Sequence, residues 1–345
     1  MITQNTFGKV QGQDVIRYTV ENQHQTRMSV LNFAGILQEF SVVDDDERIN
    51  LLLSSDRIEG FTENPFNINR VIGRTAGRIK NGTWNQAGKQ HTVPVNDGPN
   101  SLHGGPEGIG NQFFDVTVDS DANQIVLTYL AQNVDDGFPG DLKVKVVYTL
   151  TETDEIKIDF EGQQAGEAGL FNPTVHAYFN LGNTEATNLM QHDLMINAEQ
   201  HLETDQEKCP TGVFTDNAGT PFDLKFRHDL GTILPEMHAS TDEQGFDDVF
   251  VVPADFNQIA ASVSDRASGR QVDIYSDRNA IVAFTASKMD NQVRYLNRGT
   301  SKPWMAVALE AQMLPDTPNH SDFGDVSIDA GASTDYHIMY KYHKN

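Results

Sequence analysis

The chain has 345 residues, of which 49 are Asp or Glu and 25 are Lys or Arg, so its formal net charge is −24. This charge repels nucleic-acid phosphates and anionic lipid headgroups, which excludes a nucleic acid or a membrane as the expected partner. The content of hydrophobic residues, 38%, is that of an ordinary folded protein. The N-terminal segment lacks a signal-peptide pattern, no run of about 18 apolar residues occurs, and Cys209 is the only cysteine, so we expect a cytoplasmic protein.

Apolar and polar side chains alternate with a period of two along much of the chain, which is the spacing of β-strands. An early acidic run, Asp44 to Glu47, indicates a solvated turn rather than a ligand cluster. The clearest alternation predicts a hairpin, because Leu142 to Leu150 alternates, a polar turn follows, and the pattern resumes from Ile156 to Phe160. Further strand-like runs, separated by clusters of Gly, Asn, Asp and Pro, are 124–132, 248–252, 271–276, 280–286 and 336–342.

These short strands define the expected fold class. Helical periodicity with capping residues is hard to find, no fixed-period repeat occurs, and no linker divides the chain. Many short strands with few helices favour two packed sheets or a barrel. We therefore predict an all-β protein in which residues 1–345 form one domain, a large antiparallel β-sandwich.

Two histidines lie in segments suited to ligand binding. His103 falls in a turn-rich loop, N-D-G-P-N-S-L-H-G-G, whose glycines leave room for a ligand close to the main chain. His176 belongs to N-P-T-V-H-A-Y-F-N-L, where a strand would place His176, Tyr178 and Asn180 on one face of a cleft. The competing interpretations are an incidental loop histidine at position 103 and a hydrogen-bonded structural histidine at position 176.

Two carboxylates complete the set of candidates. Glu310 interrupts an otherwise apolar segment, W-M-A-V-A-L-E-A-Q-M, in which a strand would place Trp304, Glu310 and Gln312 on one face. A buried carboxylate needs a partner or a proton, and desolvation raises its pKa towards neutrality, where it can accept protons. A structural ion pair with an arginine is the alternative explanation. Asp247 or Asp248, at a turn before an apolar strand, is suited to accepting hydrogen bonds from ligand hydroxyls, although an aspartate in a turn is often structural.

Taken in order, these segments resemble the aldose 1-epimerase (galactose mutarotase) family. The resemblance extends over roughly residues 70–320, and the ordered set of motifs is more specific than any one of them. It implies a single-domain antiparallel β-supersandwich that interconverts the α and β anomers of an aldohexose such as galactose or glucose. The matching motifs are Gly73-Arg74 through Arg78-Ile79, N-D-G-P-N-S-L-H-G-G, H-A-Y-F-N-L, C-P-T-G at 209–212, P-F-D at 221–223, G-F-D at 245–247, and L-E-A-Q-M-L-P-D-T-P-N at 309–319.

By position, the resemblance implies that Glu310 is the general base of this reaction and His176 its general acid, with no cofactor and no metal. It also implies that three further residues bind the sugar, namely Arg78, His103 and Asp247. The expected partner is therefore a small-molecule sugar. The preferred aldose or disaccharide and the oligomeric state stay open.

The expected chemistry follows from the covalent structure of a pyranose. The ring opens to the aldehyde when one proton leaves the anomeric hydroxyl and another reaches the ring oxygen, and reclosure after rotation about C1–C2 gives the other anomer. Glu310 as a carboxylate would take the first proton, and a protonated His176 would give the second. Because the reference pKa of histidine is near 6.5, we expect a neighbouring anion such as Asp247 to keep His176 protonated, and a bell-shaped pH profile.

The sequence departs from the family pattern close to these residues. Gly77 and Val175 stand where many members have Asn, and Asp248 follows Asp247 where His is usual. The segment 286–295 also lacks the usual sequence pattern of a family strand that contacts the substrate. Because a site rejects substrates that leave its buried polar groups unpaired, we expect these changes to affect sugar preference more than catalysis.

Other functions fit the same residues. A metal site would use His103, His176, Asp247 and Glu310 as ligands, although the chain has no short-spaced histidine pair among them. A glycosidase would use Glu310 and Asp247 as paired carboxylates and release reducing sugar from glycosides. A non-catalytic sugar-binding protein would keep the pocket without turnover, and a related epimerase would act on a different sugar. Polarimetry on freshly dissolved α-glucose or α-galactose separates turnover from binding.

Overall fold

The computed structural model describes residues 2–240, 244–290 and 292–345. Most of the strands belong to three antiparallel sheets, which confirms the predicted β-rich fold. The first sheet has five strands in the order of the chain: Thr3–Val10, Gln13–Glu21, Arg27–Leu31, Leu37–Asp44 and Glu47–Asn50.

A nine-stranded sheet contains the predicted hairpin. The hairpin consists of Asp141–Leu150 and Glu155–Ala165, with Val146 opposite Phe160, and the alternate apolar residues of both strands are buried as predicted. In spatial order the sheet is Asp115–Asp119, Gln124–Ala131, Asp141–Leu150, Glu155–Ala165, Ser333–Lys344, Arg270–Ser276, Ile259–Asp265, His192–Ile196 and His228–Asp229.

A six-stranded sheet brings distant parts of the chain together. The strand Val307–Gln312 lies between Tyr178–Phe179 and Ala280–Phe284, although more than a hundred residues separate the first two in sequence. In spatial order the sheet is Tyr178–Phe179, Val307–Gln312, Ala280–Phe284, Asp247–Val251, Gln200–Thr204 and Pro210–Asp216.

Short elements connect these sheets. Two-stranded ladders in the described parts of the chain pair Val71–Ile72 with Thr174–Val175, Arg78–Ile79 with Ser101–Leu102, Thr83–Gln86 with Lys89–Thr92, Gly169–Leu170 with Ser327–Ile328, and Arg294–Tyr295 with Gly299–Thr300. The α-helices are Glu59–Thr62, Asn133–Asp136 and Leu230–Ser240, and the 3₁₀ turns are Lys80–Gly82, Ile109–Asn111, Leu189–Gln191 and Thr317–Asn319.

The helix Leu230–Ser240 was not predicted. Its buried residues follow the helical spacing i, i+3, i+4, i+7, so the signal was present in the sequence. Pro235 inside the helix and Gly231 in its first turn, both poor helix formers, obscured this pattern. The buried residues are Leu230, Ile233, Leu234 and Met237.

The main hydrophobic core lies between the three sheets. Phe40, Phe160 and Ile281, one from each sheet, belong to a single buried cluster. The strand Val307–Gln312 contributes its odd-numbered residues to this core, and alternation therefore directs its even-numbered residues to the opposite face. Those residues are Ala308, Glu310 and Gln312.

The acidic run is only partly a solvated turn. Asp45 and Asp46 are exposed between two strands, as predicted, but the side chain of Asp44 is buried. Asp44 Oδ2 lies 2.6 Å from Nη1 of Arg270, and Lys344 also bonds to this carboxylate. The interpretation of Asp44 as solvated was wrong, because a carboxylate paired with two cations from the nine-stranded sheet can be buried. Of the helices described, none is long and apolar enough to cross a bilayer.

Candidate active site

A cavity of about 220 Å³ lies on the face of the six-stranded sheet that carries Glu310 and Gln312. Loops that precede and follow the ladder of Arg78–Ile79 and Ser101–Leu102 form another wall. The structure places all five residues implied by the sequence along this one cavity: Arg78, His103, His176, Asp247 and Glu310.

Strand pairing explains how His176 meets Glu310. Tyr178 is paired with Ala308 in the antiparallel sheet, and the N–H of Leu309 donates to the carbonyl of Ala177 at 3.2 Å. Extending that register by two residues sets His176 opposite Glu310 on the same face. The result is a distance of 3.3 Å between His176 Nε2 and Glu310 Oε1.

The same sheet brings Asp247 to the cavity from a third strand. Ala308 pairs with Phe284, and Phe284 pairs with Asp247. Asp247 is therefore in register with Ala308, which is two residues from Glu310 along its strand. The N–H of Asp247 donates to the carboxylate of Asp248 at 2.9 Å. The Asp248 side chain therefore supports the turn, and Asp247 faces the cavity.

The opposite wall carries the remaining two residues. Arg78 pairs with Leu102 across the short ladder, and Arg78 Nε donates to Asp97 Oδ2 at 2.7 Å. His103 follows this ladder, and its Nδ1 accepts from the N–H of Gly77 at 3.2 Å. Because Nδ1 is an acceptor, the hydrogen of the neutral imidazole is on Nε2, which makes His103 a hydrogen-bond donor at that nitrogen.

Gly104 allows the loop that carries His103 to pack closely against Gly73. Gly104 has a φ of +87°, and a Cβ there would lie 2.0 Å from the carbonyl oxygen of Gly73. Only glycine permits both that conformation and that contact. The glycines noted in the sequence therefore hold the His103 loop against the segment that leads to Arg78.

Burial sets the charge of Glu310. Its side chain is almost fully buried, and this burial raises its pKa to about 8, with the negative charge of Asp247 acting in the same direction and Arg78 opposing it. Among the described residues, its ion-pair partner within 4.0 Å is His176 rather than an arginine. The alternative of a structural pair with arginine is therefore wrong.

Burial has the opposite effect on the histidines, because it disfavours the charged form of each group. It lowers the pKa of His176 to about 3, with the positive charge of Arg70 acting in the same direction. It also lowers the pKa of His103, with His176 and Arg78 contributing. The expectation that an anion keeps His176 protonated is wrong, since desolvation of the imidazolium lowers its pKa.

Glu310 and His176 thus share one proton at neutral pH. The directions of the two pKa shifts agree, because both favour a neutral carboxylic acid beside a neutral imidazole. Moving the proton from Oε1 to Nε2 gives the carboxylate and the imidazolium with no change in the total number of protons. The pair is therefore an acid and a base at any pH where it holds that single proton.

One predicted contact is absent from the cavity lining. Asn180 was expected beside His176 and Tyr178, but its amide donates to the carbonyl of Met305 at 2.7 Å and is structural. Tyr178 lines the cavity beside His176, and their rings stack at 4.9 Å. Val175 belongs to the main core, so its departure from the family pattern does not change the described cavity, whereas Gly77 lines it.

Three features noted in the sequence lie outside the lining of the cavity, as far as the structure describes them. Trp304 precedes the strand Val307–Gln312 and its indole donates to the carbonyl of Gln244, so it does not share the face of Glu310 within the cavity. The described residues of 286–295 do not line the cavity either, and residue 291 lies outside the described residues. Cys209 is buried and burial raises its pKa to about 11, which leaves no thiolate nucleophile at neutral pH.

Several lining residues had not been assigned to the site from the sequence. Phe66 and Phe284 border the cavity as a stacked pair with centroids 6.2 Å apart, and Gln312 lies beyond Glu310 on the same strand. Alternation in the strand Ala280–Phe284 placed Phe284 on one face but could not show which neighbour it meets. No local pattern marks Phe66, which lies in a segment between regular elements.

A metal ion is the alternative ligand for part of this site. His103, His176 and Glu310 each offer an atom within 4.8 Å of the others. However, His103 Nδ1 accepts from Gly77, so Nε2 keeps its hydrogen and is not free to coordinate a cation. The hydrogen-bond pattern therefore favours a polyhydroxylated ligand over a metal ion.

The chain is similar to known proteins over almost its whole length. The sequence profile of the family described as aldose 1-epimerase matches residues 17–341. A maltose epimerase from Levilactobacillus brevis is 36% identical over 343 residues, covering 99% of this chain and 98% of the relative. An aldose 1-epimerase from Streptococcus thermophilus is 34% identical, with 97% of each chain covered. A crystal structure of an aldose epimerase homologue from C. elegans has a TM-score of 0.86 and 27% identity, covering 94% of this chain and 98% of that chain.

The chain therefore belongs to the aldose 1-epimerase family. Its fold is the β-sandwich of galactose mutarotase-like proteins, and it is an isomerase that interconverts sugar anomers. The family resemblance, the fold class and the type of reaction predicted from the sequence are confirmed.

The shared proton predicts a specific pH profile for kcat/KM. Activity requires exactly one proton on the pair, so it is expected to be constant between the pKa of His176, about 3, and that of Glu310, about 8. Above about 8 the proton is lost, and activity falls about tenfold per pH unit. Polarimetry corrected for the uncatalysed reaction measures this profile.

Asp247→Asn tests the electrostatic cause. Because the negative charge of Asp247 raises the pKa of Glu310, its removal is expected to move the alkaline limb to lower pH. The position of the limb is independent of any loss of rate caused by weaker sugar binding. An alkaline limb that stays in place in this variant would contradict the assignment of the limb to Glu310.

Proposed function

We propose that Glu310 and His176 carry the proton transfers of anomer interconversion, and that Arg78, His103 and Asp247 bind the sugar hydroxyls. The observation that supports this most strongly is the 3.3 Å separation of His176 Nε2 and Glu310 Oε1 along the cavity. The anomeric oxygen and the ring oxygen of a pyranose are both bonded to C1. Two adjacent proton carriers can therefore reach both oxygens of one sugar.

Ring opening moves two protons in opposite directions. After the shared proton has moved from Glu310 to His176, the Glu310 carboxylate accepts the proton of the anomeric hydroxyl, and the His176 imidazolium gives a proton to the ring oxygen as its bond to C1 breaks. The products are a neutral carboxylic acid, a neutral imidazole and the open-chain aldehyde. After rotation about C1–C2, the reverse transfers close the ring as the other anomer.

Burial sets the protonation state to which the pair returns. Ring opening converts an ion pair into two neutral groups, and a buried site favours the neutral groups, as the pKa shifts of Glu310 and His176 indicate. The site is therefore biased towards the protonation state that accompanies the aldehyde. Stacking of Tyr178 on the imidazole, at an interplanar angle of 13°, holds the orientation of His176 during the exchange.

The remaining groups match the hydroxyls of a sugar. His103 donates through Nε2, and Asp247 accepts through its carboxylate. Arg78 uses Nε to bond Asp97, which fixes the guanidinium and leaves its other N–H groups as donors. These groups, together with the acid and base, supply the positioning that adds to proton transfer in the total rate enhancement.

We also propose that the substrates include a disaccharide with a free reducing end, such as maltose. The similarity to a maltose epimerase supports this, as do Phe66 and Phe284, two partly exposed aromatic rings that offer an apolar surface to a second sugar. A cytoplasmic location and action as one domain over residues 1–345 belong to the same proposal. The latter is supported by pairing of Glu155–Ala165 with the C-terminal strand Ser333–Lys344.

Substitution of the acid and base tests the proposed roles. Glu310→Gln and His176→Asn are each expected to lower kcat for α-glucose or α-galactose by about 10²-fold to 10⁴-fold, because each removes one positioned proton transfer. The double variant is expected to lose little more than either single variant, since the two groups act as a unit. Glu203→Gln, at an exposed position of the six-stranded sheet, is the matched control and should keep full activity. Full activity in Glu310→Gln would remove Glu310 from the role of base.

The proposed disaccharide substrate is tested by comparing maltose with glucose. Phe66→Ala is expected to lower kcat/KM for maltose by about tenfold while changing that for glucose little, because a second sugar ring loses an aromatic contact. Phe226→Ala, at an exposed ring away from the cavity, is the control. Equal losses for the two sugars would contradict a subsite at Phe66, and no turnover of maltose would restrict the substrates to monosaccharides.

A further inference from the structure

Gln312 is a buried polar residue that the proposed reaction does not use. Its side chain is fully buried and lines the cavity. Neither Oε1 nor Nε2 has a hydrogen-bond partner among the residues that the structure describes. Folded proteins rarely leave both ends of a buried amide unpaired, because each lost hydrogen bond is unfavourable. The unpaired donor and acceptor of this amide therefore suit hydrogen bonds to a bound ligand.

The surrounding protein groups are already occupied. Thr174 Oγ1 donates to the carbonyl of Ala311 at 2.8 Å, and Asn172 Oδ1 accepts from the N–H of Met313 at 2.9 Å. Gly77 faces Gln312 from the other wall, and a Cβ at Gly77 would lie 3.3 Å from Gln312 Nε2. A side chain at Gly77 would therefore crowd the amide.

The strand fixes where Gln312 meets a bound sugar. It follows Glu310 by two residues on the same face, which corresponds to about 7 Å along the strand. Asp247 lies at the level of Ala308, on the other side of Glu310. Gln312 and Asp247 therefore flank the proton-transfer pair from opposite directions, and each is placed to contact a different part of the sugar ring.

We propose that Gln312 is a specificity-determining residue that binds two adjacent hydroxyls of the sugar, with Nε2 donating to one and Oε1 accepting from the next. This inference rests on the proposed function of the cavity. An amide combines a donor and an acceptor at a fixed spacing, and a vicinal diol presents the complementary pair. The ligand class is therefore a pyranose with both hydroxyls present, and a deoxy sugar that lacks one of them is selected against.

The test combines Gln312→Met with single deoxy derivatives of glucose. Methionine has a similar shape and makes no amide hydrogen bond. The protein is expected to lose on the order of tenfold in kcat/KM for the two deoxy sugars that lack the hydroxyls bound by Gln312. Gln312→Met is expected to show a similar loss of kcat/KM on glucose itself and no further loss with those two sugars. We call the loss of kcat/KM on going from glucose to a deoxy sugar the deoxy penalty of that sugar, and the penalties of the other deoxy sugars should stay the same in Gln312→Met.

Two comparisons separate this role from a structural one. Gln164→Met removes a buried glutamine whose Nε2 bonds to the carbonyls of Pro139 and Glu167, so it is expected to lower stability and leave all deoxy penalties unchanged. Gln312→Leu removes both the donor and the acceptor with a different apolar shape, so it should abolish the same two selectivities as Gln312→Met. This variant decides the question if Gln312→Met does not fold.

The inference is overturned if the Gln312 variants keep every deoxy penalty of the unmodified protein. In that case normal turnover of glucose by the unmodified protein would leave the proposed function intact. Absence of turnover with every aldose would instead overturn the proposed function and this inference together. An unchanged alkaline limb in Gln312→Met is the expected sign that Glu310 is unperturbed.

Discussion

The site depends on one physical constraint, which is the joint burial of a carboxyl group and an imidazole 3.3 Å apart. Burial makes the charged form of each group unfavourable, so it raises the pKa of Glu310 and lowers that of His176. The two groups respond by sharing a single proton. A pair in that state can take a proton at one atom and return a proton at the other without any change in net charge, which is the requirement of a mutarotase.

The sandwich produces this constraint through strand register. Alternation sends Leu309 into the core and Glu310 to the cavity, and the pairing of Tyr178 with Ala308 brings His176 to the level of Glu310. A shift of one residue in either strand would exchange the core face for the cavity face and separate the acid from the base. The packing of the core and the geometry of the catalytic pair are thus consequences of the same register.

The sequence was informative wherever the signal is local. Period-two alternation predicted the hairpin that begins at Asp141, and an isolated carboxylate in an apolar segment identified Glu310. Asn180 was misplaced, because alternation gives the face of a residue but not the partner that covers it. The protonation state of His176 also could not be predicted, since it depends on depth of burial and therefore on contacts between distant strands.

The proton shared by Glu310 and His176 can be observed directly by infrared difference spectroscopy, with Glu310→Gln used to assign the carboxyl band. The account predicts a protonated Glu310 at about pH 6 that ionises as the pH rises through its pKa of about 8. It also predicts that this titration moves to lower pH in Asp247→Asn. A spectrum that shows Glu310 as a carboxylate at about pH 6, with an imidazolium at His176, would contradict the account.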